Sequence, residues 1–144
     1  MISLALDTAT DRLTLALGRP GAPMLERRLD GVRRHAAALV PLLEELLAES
    51  GLALGGVSRL GVADGPGGFT GLRVGAALAK ALARAHPGLS VWTASTLLVR
   101  AAGASPSGGG RVLVATSALR GEVFAAFDRF LPGAVETMRE PALA

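Results

Sequence analysis

With 144 residues, half of them apolar, the chain has room for one ordinary domain with a real core, or one domain plus part of a second. The absence of cysteine excludes disulfides, thiolate metal sites and a cysteine nucleophile. A formal charge of +3, carried by scattered arginines and a single lysine beside four phenylalanines and one tryptophan, excludes a stacking platform for single-stranded RNA.

Ile2 to Asp7 reads as a buried strand that ends in an acid. A turn at Thr8–Asp11 follows, then an alternating strand from Arg12 to Leu17. A second turn at Gly18–Gly21 leads to a third expected strand, Met24 to Leu29. The next segment predicts a helix from near Arg33 to Gly51, the latter suited to the C′ position. Its Leu39, Leu42, Leu43, Leu46 and Leu47 share one face, opposite Glu44, Glu45 and Glu49, and His35 projects toward the leucine arc. Pro41 should bend that helix or mark its real start. The paired arginines at 27–28 and 33–34 read as solvated faces.

After a short connector, the apolar stretch Leu60–Ala63 runs into Asp64-Gly-Pro-Gly-Gly-Phe-Thr-Gly-Leu-Arg73 and then an alanine-rich helix to His86. Gly65, Pro66, Gly67 and Gly68 make a tight strand-to-helix loop, with Thr70 as its expected N-cap and Gly71 opening the helix. Such a loop either serves as a plain turn or presents free N–H groups to an anion. On the helix, Arg73, Lys80 and Arg84 form a wet strip and Val74, Leu78 and Leu82 form a ridge suited to a sheet. A third face of Leu72, Gly75, Ala76, Ala79 and Ala83 is small enough to admit another helix closely. Arg73 in the first turn opposes the helix dipole, so a carboxylate, Asp64 or a partner's acid, is expected beside it.

Leu89–Thr93 predicts a strand, and Ser95 caps a short helix to Ala102. The stretch 104–110 is linker-like, which gives domains at 1–104 and 105–144. Strands at 111–116 and 122–130 around a turn at 119–121 repeat the design of the N-terminus, with Ser117 in the place of Asp7. Residues 131–144 show no clear partner and are expected to be loosely held. No apolar run reaches membrane-spanning length, Met1 leads directly into a strand without a signal peptide, and a cytoplasmic location is expected. His35 and His86 are too far apart for metal-ligand spacing, so neither a metal nor a cofactor is expected.

Ala5-Leu-Asp-Thr-Ala-Thr10, His35-x-x-x-Leu-x-Pro41, the Gly65–Arg73 loop including Phe69, Ser95-Thr-Leu97 and Gly121-Glu-Val-Phe124 together resemble the TsaB (YeaZ) family over about residues 1–130. The resemblance implies an α/β, actin/Hsp70-like (RNase H-like) fold with a mixed sheet and flanking helices, plus a truncated second domain. It also implies a non-catalytic role in making threonylcarbamoyladenosine in tRNAs that read ANN codons. The implied partners are a TsaD-like paralogue, a TsaE-like ATPase and a second copy in a homodimer, with tRNA reached only through the complex and no membrane. The dimerisation surface would be Leu39, Leu42, Leu43, Leu46, Leu72, Gly75, Ala76, Ala79 and Ala83. Asp7 and Thr8 sit where relatives in the superfamily handle metal-phosphate, or else merely shape the turn. The alternative reading is therefore an actin-like nucleotide-binding ATPase or phosphotransferase that uses Asp7 and the 64–73 loop, and a third is a self-associating structural domain. One departure is Ser117-Ala-Leu119, where the family has Asp-Ala-Arg.

Overall fold

The computed structural model describes residues 1–31, 35–104, 109–118 and 121–143, the side chains only as far as residue 138. The expected Arg33–Arg34 pair, most of the linker-like stretch and the tip of the 119–121 turn lie outside the described residues. Cα packing divides the chain into two compact units, Met1–Ala94 and Ser95–Ala144.

In the first unit β1 (Ile2–Asp7), β2 (Arg12–Gly18) and β3 (Leu25–Asp30) form an antiparallel meander. β4 (Val57–Ala63) and β5 (Ser90–Ala94) then add in parallel, giving the mixed order β3-β2-β1-β4-β5. Alternation decides which face is buried: Leu4 and Leu6 of β1, Leu13, Leu15 and Leu17 of β2, and Leu60 and Val62 of β4 all turn inward. Ser3 and Ala5, on the opposite face of β1, are exposed.

Helices α1 (His35–Ser50) and α2 (Phe69–Ala85) cover the leucine face. α1 contributes Leu39, Leu43 and Leu46, spaced one helical turn apart and 0–4 % exposed. Each such leucine stabilises the fold by about 1.5–3 kcal/mol relative to exposure. The helix runs through Pro41 without ending. It stops where expected: Gly51 takes φ 64° and the Leu52 N–H donates to the Leu47 carbonyl, the glycine-closed end that other residues adopt with strain. An ion pair from Arg27 to Glu49 ties β3 to this helix.

In the second unit α3 (Thr96–Ala104) packs on β6 (Gly110–Ser117) and β7 (Val123–Leu131) through the fully buried Leu97 and Ala101. The Ser95 Oγ accepts the Leu97 N–H at 3.3 Å, as the cap reading expects. The expectation of a loose C-terminal segment is overturned. β8 (Ala134–Leu143) pairs antiparallel with β7 along most of its length. The strand escaped sequence reading because Val135 and Met138, which face opposite ways in a strand, are both about half exposed, so no single apolar face marks it. Its pairing makes β6-β7-β8 a second three-stranded meander, with Ser117 ending β6 as Asp7 ends β1.

Candidate docking surface

The 64–68 loop closes onto the turn between β1 and β2, which lies far away in sequence. Gly67 and Gly71 present bare backbone to that turn. A Cβ on Gly67 would stand 2.1 Å from the Ala9 carbonyl oxygen, and one on Gly71 1.9 Å from that of Thr8. Gly75, one helical turn further, faces the Thr8 hydroxyl, which a Cβ would approach to 2.4 Å. The three glycines thus form one stripe at four-residue spacing along which the Thr8–Ala9 backbone lies. Two hydrogen bonds close the contact: Thr8 Oγ1 donates to the Gly71 carbonyl at 2.8 Å, and the Gly68 N–H donates to the Ala9 carbonyl at 2.7 Å. The Gly65–Pro66 peptide bond is cis.

This geometry assigns the loop its first task, which is to hold its own chain. Asp7 shapes the turn, its Oδ1 accepting the Ala9 N–H at 2.8 Å. His35 is buried beside the same stripe, 3.6 Å from where a Gly71 Cβ would sit, and its Nε2 has no hydrogen-bond partner among the described residues. Two expectations need correction. Thr70 is not the N-cap, because the helix already begins at Phe69 with Gly68 in the capping position and no side-chain cap. Of the two acids expected beside Arg73, Asp64 forms no ion pair with it among the described residues, which leaves a partner's acid as the other expectation; the guanidinium lies over the Phe69 ring, 5.1 Å from the centroid. The attraction of the ring's negative face offsets the dipole cost instead. Phe69, 73 % exposed, is the residue whose role sequence reasoning missed.

The outward side of α2 borders an apolar groove of about 650 Å³ between this helix and strands β4 and β5. Leu72, Ala76, Ala79 and Ala83 line it, with Val91 and Thr93 opposite and Asp64, Arg73 and Lys80 at its rim. The structure therefore brings together four members of the expected small face. It turns Gly75 away, toward Thr8, and keeps Leu39, Leu43 and Leu46 in the core, with Leu42 half-buried at the core's edge. The periodicity that grouped Gly75 with the alanines could not reveal this, because the other half of the contact, Thr8, lies far away in sequence. Among the described residues no three histidine or carboxylate groups converge as a metal site would require, and no helix is long and apolar enough to cross a membrane.

A family model described as TsaD, tRNA N6-adenosine threonylcarbamoyltransferase, matches residues 28–140. The tRNA threonylcarbamoyladenosine biosynthesis protein TsaB of Escherichia coli is 37 % identical over 122 residues, 84 % of this chain and 52 % of its own length. TsaB of Haemophilus influenzae is 44 % identical over 80 residues, 56 % of this chain and 34 % of its own. The solved structure of YeaZ from Pseudomonas aeruginosa superposes with a TM-score of 0.86 at 32 % identity, over 99 % of this chain and 66 % of that one. The chain belongs to the TsaB (YeaZ) family. Its mixed sheet with flanking helices is the α/β fold that the motifs implied, shared with the YeaZ structure. It spans about half the length of the TsaB of Escherichia coli.

Proposed function

We propose that this TsaB-family chain acts in tRNA threonylcarbamoyladenosine biosynthesis as a non-catalytic docking subunit for a TsaD-like paralogue. The observation that carries the reading is the groove beside α2. Leu72, Ala76, Ala79 and Ala83 on its α2 wall are mostly small, so a partner helix can approach at short interaxial distance. The names of the relatives from Escherichia coli and Haemophilus influenzae supply the pathway. The same face would serve self-association, so homodimer and heterodimer should compete, and a TsaE-like ATPase and tRNA would join only through the complex.

The test uses Ala76, which is exposed on the groove wall, whereas Ala79 is nine-tenths buried and a bulky residue there would also disturb the fold. Ala76→Trp should leave circular dichroism unchanged. It should weaken capture of the TsaD homologue by about tenfold or more, the usual scale of overpacking. Unchanged capture would move the docking surface elsewhere.

The alternative, a nucleotide-hydrolysing enzyme built on Asp7, finds less support. The Asp7 carboxylate is engaged in its own turn, and the carbonyls of residues 8–9 fill the space over Gly67 and Gly71. The purified chain is expected to show no ATP turnover. Turnover that disappears in Asp7→Asn would replace the docking reading with an enzymatic one.

A further inference from the structure

The groove beside α2 has a charged rim as well as a wall of small residues. Arg73 and Lys80 reach it from the helix, and Asp64 from the loop before the helix. The two cations lie two helical turns apart on one strip of α2, about 10.5 Å along its axis. Both are exposed, and neither joins an ion pair among the described residues. A surface helix can offset such charges with an acid three or four residues away. α2 has no such acid, because Phe69–Ala85 contains neither Asp nor Glu. The Phe69 ring covers one face of the Arg73 guanidinium and leaves its in-plane N–H donors, which suit a carboxylate.

What fits this rim is a helix with a small or apolar face for the alanines and carboxylates two turns apart on its flank. Neither helix of the first unit supplies that combination from a second copy. α2 of a second copy brings the same cations and no acid. α1 carries Glu44, Glu45 and Glu49, but its Leu39, Leu43 and Leu46 are sunk in its own core and Glu49 is held by Arg27. We infer that the groove recognises an acid-flanked helix of the TsaD-like partner, whose carboxylates meet Arg73 and Lys80. The inference rests on the docking reading and adds to it the charge that separates the paralogue from a second copy. Cation strips brought face to face penalise self-association through α2, whereas a partner's acids are drawn to the same strip.

Lys80→Glu reverses one rim charge at an exposed position and should leave circular dichroism unchanged. With the whole chain immobilised, association of the TsaD homologue should slow by about tenfold in low salt, and by only about twofold in high salt, where charges are screened. Lys80→Arg keeps the charge and should keep the parent's rate. Arg59→Glu makes the same change in net charge at an exposed position of β4, opposite in direction to the inward Leu60, and should bind like the parent. Undiminished binding by Lys80→Glu, a loss that high salt does not reduce, or an equal loss in Arg59→Glu would each overturn the inference. If Ala76→Trp still weakens capture in those cases, the docking reading survives without it. A parent chain that captures no TsaD homologue would remove both.

Discussion

Gly71→Ala is expected to destabilise the first unit by about 3 kcal/mol, the upper end of what overpacking costs. The new methyl would stand 1.9 Å from the Thr8 carbonyl oxygen, and that oxygen belongs to backbone held on both sides by the sheet. Relief would need the β1–β2 turn and α2 to part, which stretches the buried Thr8–Gly71 hydrogen bond as well. Urea unfolding followed by circular dichroism measures the loss. Gly103→Ala is the matched control, since nothing lies within 4 Å of its missing Cβ, and in a helix that change should be neutral or stabilising. A Gly71→Ala loss below about 1 kcal/mol would mean that the turn yields easily and the stripe is not a steric requirement.

Leu46→Ala is expected to cost about 2–5 kcal/mol, because the side chain is fully buried against the sheet and its removal leaves a cavity. The same variant separates core from surface on α1. If Leu46 belongs wholly to the core, association with a TsaD homologue measured well below the melting temperature should be unchanged while the urea midpoint falls. Loss of association with full stability would instead return α1's leucines to the interface.

How far the sequence could be read depended on the range of the forces involved. Leu13, Leu15 and Leu17 alternate within one strand, and Leu39, Leu43 and Leu46 recur within one helix, so local periodicity placed both elements. The role of Gly75 was beyond reach, because only the folded sheet brings Thr8 against it. β8 was missed for a different reason: its apolar residues fall on both faces, and it is held by backbone pairing to β7, to which side-chain pattern is blind. Asp64 was the wrong intrachain neighbour for Arg73, because an aromatic one turn earlier serves where a carboxylate was expected.

The glycine stripe carries a consequence for how this surface can change over time. The N-terminal end of α2 is located by main chain resting on main chain at Gly67 and Gly71, with the Thr8 hydroxyl hydrogen-bonded to the Gly71 carbonyl, while Ala79 and Leu82 pack into the core further along. A helix seated on side chains drifts by fractions of an ångström as those side chains are exchanged. An end seated on peptide groups is less sensitive to such exchanges. Ala76 and Ala83 on the far side of α2 lie outside the core and can therefore be substituted one at a time to suit a changing partner, while the platform that presents them stays seated on the Thr8–Ala9 turn.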